Sequence, residues 1–314
     1  MIPALVLTAG LATRLRPLSL VRAKAALPVA GQPLVVRILR SLRAAGVTDA
    51  VLNLHHLPQT LTRIVGDGSD LGVHVRYSWE NPVLGSAGGP RQALPLLGAS
   101  TFLIVNGDTL ADVDIPALVA SHRASGALVT MAAAENLNPD KYGGIIARGD
   151  GTVAAFARRG SGQPSYHFVG VQVADAAAFE PLTPGTPHES VAAVYPALIR
   201  EQPGSVRAHV CATEFLDIGT PDDYLRTSLL LMRREDSGVV HGPGSRADPT
   251  ARIEDSILWD DVEVGAGSLL RQCIVTDGVQ VPEDTSWIGV TMRRAGGELV
   301  AGERRIGDLA IASI

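Results

Sequence analysis

A chain of 314 residues can bury a large core and has room for two domains. Its composition, 46% hydrophobic and 19% charged with no run of eighteen apolar residues, excludes both a membrane-spanning helix and a disordered chain. The net charge of −5 argues against general binding of nucleic acid or anionic membranes, and the two cysteines, Cys211 and Cys273, are too few for a disulfide framework or a cysteine metal site.

The first element is an uncharged apolar run, Ile2 to Leu7, that reads as a strand buried on both faces. No signal peptide precedes it, so the expectation is a cytoplasmic protein. The run breaks into the small residues of Thr8-Ala9-Gly10-Leu11-Ala12-Thr13 and then reaches Arg14 and Arg16. Small side chains at Ala9, Gly10 and Ala12 let backbone N–H groups come close to a ligand, while Arg14, Arg16 and Lys24 bring positive charge, a combination that suits phosphates. The turn contains neither G-x-x-x-x-G-K-[ST] nor G-x-G-x-x-G, and by itself it also reads as an ordinary strand-to-helix connection.

Pro33 suits a first helical residue, and Leu34, Val35, Ile38, Leu39, Leu42 and Ala45 make one apolar stripe ended by Gly46. A strand over 50–54, a helix over 57–65 and a strand over 73–78 follow, then a Gly-rich segment leading to a helix near Pro90. A buried strand over 101–106 empties into Gly107-Asp108, a helix covers 115–125, and a small-residue strand covers 127–134. The alternation predicts an α/β fold with a mostly parallel, Rossmann-like sheet flanked by helices, whose ligands gather at the carboxyl ends of the strands. From Lys141 the strands shorten (153–156, 165–173), and a helix from Pro221 to Met232 follows.

Past Glu235 the pattern changes, with Ser237, Gly238, Gly242, Pro243 and Gly244 marking a boundary, so the predicted domains are 1–236 and 237–314. Ser256-Ile257-Leu258 returns as Cys273-Ile274-Val275, and Asp260-Asp261-Val262-Glu263-Val264-Gly265 as Asp277-Gly278-Val279-Gln280-Val281-Pro282, each seventeen residues later. That period fits one coil of a three-sided, left-handed parallel β-helix of the hexapeptide kind. The last histidine, His241, precedes the repeats, so an acyltransferase of the β-helix type, which needs a histidine base, is rejected. The tail from Trp287 to Ile314 reads as short strands without an assigned role. A short β-helix has apolar ends to cover, which predicts a homo-oligomer, most simply a dimer.

Gly10-Leu11-Ala12-Thr13-Arg14-Leu15-Arg16-Pro17, Lys24 and Pro28-Val29-Ala30-Gly31-Gln32-Pro33-Leu34 together resemble the signature of the sugar-nucleotide pyrophosphorylases. These nucleotidyltransferases join a nucleoside triphosphate to a sugar 1-phosphate, and their fold is the nucleotide-diphospho-sugar transferase type, in several members followed by a short β-helix. The resemblance implies that Arg14 and Lys24 are catalytic and that Leu7, Ala9, Gly10, Leu11, Ala12 and Thr13 bind nucleotide. Glu80-Asn81-Pro82-Val83-Leu84-Gly85-Ser86-Ala87-Gly88 resembles the segment that holds the base, adding Glu80, Pro82, Gly85, Ser86 and Ala87. Glu80 could accept from the N1–H and N2–H2 edge of guanine, where uracil and thymine offer one donor. Val105-Asn106-Gly107-Asp108 and Phe215-Leu216-Asp217-Ile218-Gly219-Thr220-Pro221 resemble the segments whose aspartates hold Mg2+, which implies Asp108 and Asp217 as its ligands. Gly143, Arg159 and Gly170 are the implied sugar contacts.

The departures from the pattern are local. The second glycine of the signature is Ala12, harmless at negative φ and costing about 1 kcal/mol at positive φ. Phe156-Ala157-Arg158-Arg159-Gly160 and Phe168-Val169-Gly170 replace the common F-x-E-K-P and N-x-G, which leaves the sugar open. The expected reaction is NTP plus sugar 1-phosphate giving NDP-sugar and pyrophosphate, with GTP and mannose 1-phosphate first. A uridylyl- or thymidylyltransferase on another sugar is the alternative, and a non-catalytic regulatory or scaffold homologue is the alternative of a different class.

Overall fold

A computed structural model describes residues 1–108, 110–236 and 241–314. The boundary expected at Ser237 and Gly238 lies outside the described residues. By contact the chain forms two units, one of residues 1–10, 35–58 and 65–216, the other of residues 11–34, 59–64 and 217–314. The covalent chain therefore leaves the first unit after Gly10, inside the small-residue loop.

The first unit is built on a nine-stranded sheet. Its strands are β1 (Ala4–Leu7), β2 (Asp49–Leu54), β3 (His74–Trp79), β4 (Thr101–Asn106), β5 (Val129–Glu135), β6 (Gly144–Ala147), β7 (Val153–Ala157), β8 (Tyr166–Asp175) and β9 (Val206–Val210). The order is β7-β6-β8-β4-β1-β2-β3, with β5 also on β8 and β9 on β5. The block β4-β1-β2-β3 is parallel throughout, and β8 runs antiparallel to β4. Consecutive strands β1, β2 and β3 step outward in one direction, and β4 returns to the other side of β1. That reversal is a topological switch point, so the loops leaving β1 and β4 face one crevice at the carboxyl ends of the strands. Leu5, Val51, Phe102, Ile104, Val129 and Met131 lie in one buried apolar cluster, as strands covered on both faces require.

Helices α1 (Leu34–Ala44), α2 (Pro58–Val65), α3 (Gly85–Leu97), α4 (Ile115–Ser125), α5 (Tyr195–Glu201) and α6 (Pro221–Arg234) complete the α/β pattern. Two helix starts differ from the sequence reading. Pro33 belongs to a small hairpin, Pro28–Val29 paired with Gln32–Pro33, because Ala30 and Gly31 both take positive φ and make the two-residue turn that such a hairpin needs. Helix α3 begins at Gly85, not near Pro90, and carries Pro90 and Pro95 inside it. The backbone N–H groups of Ala87 and Gly88 donate to the His188 carbonyl, so its first turn is held from outside.

In the second unit the short strands stack in parallel on three faces: Arg246–Ala247, Glu263–Val264 and Gln280–Val281; Arg252–Glu254, Leu269–Arg271 and Ser286–Ile288; Ile257–Leu258, Ile274–Val275 and Val290–Arg294. Ile257 pairs with Ile274 and Val264 with Val281, the seventeen-residue spacing seen in the sequence. Left-handed backbone recurs at the same interval, at Gly244, Asp261 and Gly278 and again at Asp255, Gln272 and Gly289, so the corners repeat with the coils. Hydroxyls of one coil accept from amides of the next, Ser245 from Val262 and Ser256 from Cys273.

The tail acquires a definite place. Leu309–Ser313 pairs antiparallel with Val290–Arg294 and with Arg304–Ile306, closing the edge of the third face within the chain. Its loop is pinned by a buried ion pair, Arg293 Nη2 to Glu303 Oε2 at 2.6 Å. Among the described residues no helix is long and apolar enough to cross a membrane. Both cysteines are free, and burial raises both thiols above their ordinary value.

Candidate active site

In the first unit, the ends of β1, β2 and β3 meet a continuous buried polar chain. Asn53, at the end of β2, accepts through Oδ1 from the Thr8 N–H at 2.6 Å and the Ala9 N–H at 3.3 Å, and the Thr8 hydroxyl donates to the Asn53 carbonyl. Its Nδ2 donates to Glu80 Oε1 at 2.7 Å, and Glu80 Oε2 accepts the Leu84 N–H at 2.8 Å. Gly89 of α3 comes so close that a Cβ there would lie 2.8 Å from Glu80 Oε1, which explains the second glycine of Gly88-Gly89. The chain fixes the start of the loop after β1 and the 80–85 loop relative to each other.

Glu80 is thereby occupied. It is 5% exposed, and each carboxylate oxygen accepts one hydrogen bond from the protein, so this carboxylate has a structural duty besides any pairing with a base. Asn53 escaped the sequence reading. Its signal was a single amide inside the apolar run Ala50-Val51-Leu52-Asn53-Leu54, which periodicity alone cannot separate from a solvent-facing residue.

Of the remaining residues in this unit, Ser86 Oγ donates to Glu189 Oε2 at 2.7 Å and accepts the Ser190 N–H at 2.9 Å. Pro82, Gly85 and Ala87 frame the same turn, and Gly85 has φ +73° with His188 and Glu189 against its open side. At the end of β4, a Cβ on Gly107 would fall 2.5 Å from the Leu7 carbonyl, so half-buried Asp108 follows a turn packed tightly on the end of β1. Gly143 lies against the Ala157 carbonyl and the Arg159 N–H, which brings the Tyr142-Gly143 turn to exposed Arg159. Gly170, at φ +81°, sits where the register of β8 with β5 shifts between Phe168 and Gln172, a bulge. Tyr142, His167 and Phe215 stack beside that turn, with Tyr142 and Phe215 each 4.5 to 5.8 Å from their ring neighbours.

In the second unit, the loop from Leu11 to Leu15 is anchored by buried Leu15 and Leu18 and by Ser19 Oγ, which donates to the Ala12 carbonyl at 2.9 Å. Ala12 has φ 47° and ψ 44°, and the right-handed turn Thr13–Leu15 follows it. A left-handed residue followed by a right-handed one turns successive N–H groups to one side, the geometry of an anion nest, and exposed Arg14 stands on the same turn. The strain at Ala12 is therefore real. Ala12→Gly is expected to stabilise the chain by about 1 kcal/mol, raising Tm by about 2 to 4 °C in a thermal melt.

Lys24 is half-buried at the head of a single turn, Lys24–Ala26. Asp217 is half-buried before Gly219, where a Cβ would stand 3.0 Å from Asp217 Oδ1, and its carbonyl accepts the Thr227 hydroxyl at 2.7 Å. The following helix α6 is capped by Thr220, whose Oγ1 accepts the Asp223 N–H. Among the described residues no group of three or more His, Cys, Asp or Glu could hold a metal ion. Asp108 and Asp217 nevertheless have the hard carboxylate oxygens that suit Mg2+, which takes one or two carboxylates and completes its shell with substrate phosphates and water.

The nucleotidyl transferase family matches residues 3–234, and a GlmU-like C-terminal hexapeptide matches residues 236–296. The mannose-1-phosphate guanylyltransferase of Mycobacterium tuberculosis is 28% identical over 291 residues, covering 89% of this chain and 81% of its own. The N-acetylmuramate alpha-1-phosphate uridylyltransferase of Neisseria meningitidis serogroup B is 47% identical over 116 residues, covering 36% of this chain and half of its own. The crystal structure of HddC from Yersinia pseudotuberculosis complexed with GMP-PN covers 74% of this chain and all of its own at a TM-score of 0.65 and 23% identity, a likeness of fold.

Proposed function

The chain belongs to the nucleotidyl transferase family, and from that membership we propose that it joins a nucleoside triphosphate to a sugar 1-phosphate, releasing pyrophosphate. The observation that carries the reading is the nest at Ala12-Thr13 beside Arg14, a ready site for the phosphates of the triphosphate. An oxygen of the sugar phosphate attacks the α-phosphorus in line and the pyrophosphate leaves from the opposite side. The attacking oxygen is already ionised, so positioning and charge neutralisation carry the catalysis and no covalent intermediate is needed. Arg14 holds the leaving phosphates, and Lys24 holds the α-phosphate and the incoming one. The loop residues Leu7 to Thr13 and the 80–87 segment seat the nucleotide, and Gly143, Arg159 and Gly170 seat the sugar phosphate, with Arg159 offering a bidentate grip. Such enzymes typically use a divalent metal. Mg2+ held by Asp108 and Asp217 would neutralise charge on the phosphates.

GTP and mannose 1-phosphate are the first pair, supported by relatives that run most of the length of the chain, the mycobacterial guanylyltransferase among them. UTP with another sugar 1-phosphate is the second reading, favoured by the 47% local identity to a uridylyltransferase and by the internal use of Glu80. Measuring kcat/KM for GTP, UTP and dTTP against mannose, glucose and N-acetylated sugar 1-phosphates decides between them. The first reading expects GTP to lead by tenfold or more, about 1.4 kcal/mol. Chelation should abolish turnover and Mg2+ restore it. No pyrophosphate from any mixture overturns the enzyme and leaves a regulatory or scaffold homologue.

The same reading places the protein in the cytoplasm, with domains at 1–236 and 237–314, the latter a left-handed β-helix. A dimer is proposed on the coil edges: Gln280–Val281 and Ser286–Ile288 are the last strands of their faces, and Ile288 and Ile306 are exposed. Light scattering at micromolar concentration should give about twice the chain mass of 32.8 kDa, and a monomer mass overturns it.

A further inference from the structure

Arg22 stands two residues before Lys24, and its guanidinium, 11% exposed, is shared between two coils of the second unit. Nε donates to Asp277 Oδ2 at 2.8 Å, and Nη2 donates to Asp277 Oδ1 and to Asp260 Oδ2, both at 2.6 Å. The two aspartates are repeat equivalents, seventeen residues apart, so the stacking of the coils sets their spacing. The guanidinium carbon also lies 5.2 Å from the centre of the Trp259 ring. Trp259 Nε1 donates to the Tyr224 hydroxyl at 2.9 Å, and that hydroxyl donates to the Pro28 carbonyl at 2.6 Å. The segment from Arg22 to Pro28 is thus tied at both ends to one cluster built on the coils and on α6.

Between these ties lies the turn that bears Lys24. Its neighbours Ala23, Ala25 and Ala26 are short side chains, all buried. The Ala23 N–H donates to Thr60 Oγ1 at 3.1 Å, and the Leu34 N–H to the Leu27 carbonyl. The end anchors add side-chain ties on either side of Lys24. An arginine suits this duty because its planar fork satisfies a bidentate carboxylate and a second carboxylate together, as an ammonium cannot.

We propose that Arg22 is a positioning residue for Lys24, and that the C-terminal coils, through Asp260 and Asp277, hold the turn that presents this lysine to the reacting phosphates. The inference rests on the assignment of Lys24 above. It gives the β-helix a part in transfer, beyond capping or assembly.

The test uses the full-length chain and two readouts. Amide hydrogen exchange over residues 23–27 should speed up at least tenfold in Arg22→Ala and in Asp277→Asn, and exchange equal to wild type in both overturns the clamp without any reference to turnover. In steady-state kinetics below the melting temperature of each variant, Arg22→Ala should lose about tenfold or more in kcat with KM for the triphosphate within about threefold, the size expected when a catalytic group is displaced by a fraction of an ångström. Arg22→Lys should recover part of the loss. The double variant Arg22→Ala, Lys24→Ala should be no slower than Lys24→Ala alone, since Arg22 acts through the lysine. Multiplying losses, or an unchanged kcat in folded Arg22→Ala, overturns the positioning role. Asp277→Asn keeps the size of the side chain and serves if Arg22→Ala does not fold. A wild-type chain without turnover on any substrate pair defeats the nucleotidyltransferase reading, and the exchange measurement then still decides the clamp.

Discussion

Lys24→Ala is expected to lower turnover at least a hundredfold, about 2.7 kcal/mol of transition-state stabilisation, and Asp217→Ala to do the same. Both losses should fall mainly on kcat, because the charge each side chain meets grows as the α-phosphorus is attacked. Neither should unfold the chain. At Lys24 an alanine joins Ala23, Ala25 and Ala26 in the same short turn, which keeps its backbone bonds, Ala26 N–H to Ala23 and Leu27 N–H to Lys24. At Asp217 the carbonyl accepts the Thr227 hydroxyl, a bond that survives the substitution. Pyrophosphate release near the wild-type rate in either variant, with unchanged circular dichroism, defeats the assignment of that residue.

The parts of this chain that were legible in the sequence are those whose physics is local or strictly periodic. The buried strands Leu5-Val6-Leu7 and Phe102-Leu103-Ile104-Val105 show as uninterrupted apolar runs, and the coils show because each face repeats after seventeen residues, as Ile257 on Ile274 does in the structure. The family itself was legible as motifs at strand ends. What stayed hidden depends on partners far away in sequence. Arg22 passes unremarked beside Arg14, Arg16 and Lys24 until Asp277, 255 residues later, is seen to accept from two of its nitrogens. Asn53 and Glu80 likewise reveal their use only across two neighbouring strands. Pro90 argues locally for a helix start, and α3 instead runs through it and through Pro95, with its first turn held by the His188 carbonyl. The backbone at Ala12 was undetermined because alanine tolerates either sign of φ at a modest cost, and the nest takes the costly one.

Glu80→Gln is the second substitution with a large expected effect, and it separates two duties that one residue could perform. Both partners of the carboxylate are donors, Asn53 Nδ2 at 2.7 Å and the Leu84 N–H at 2.8 Å. A glutamine oxygen can accept from one of them, whereas its amide nitrogen must face the other donor, leaving a buried N–H without an acceptor and two hydrogens in opposition. The expected cost is about 2 to 3 kcal/mol, because a buried polar group loses its partner in a region where water cannot replace it. A chain of this size should melt several degrees lower as a result. The brace also joins the loop after β1 to the 80–85 loop, so both ends of the nucleotide site loosen together. Under this reading kcat/KM should fall by a similar factor, about tenfold or more, for GTP, UTP and dTTP alike. A residue that read the guanine edge would act differently: its loss would penalise GTP and leave UTP and dTTP nearly untouched. A tenfold change in the ratio of GTP to UTP, with an unshifted melting temperature, would return Glu80 to base recognition and leave Asn53 alone to hold the two loops.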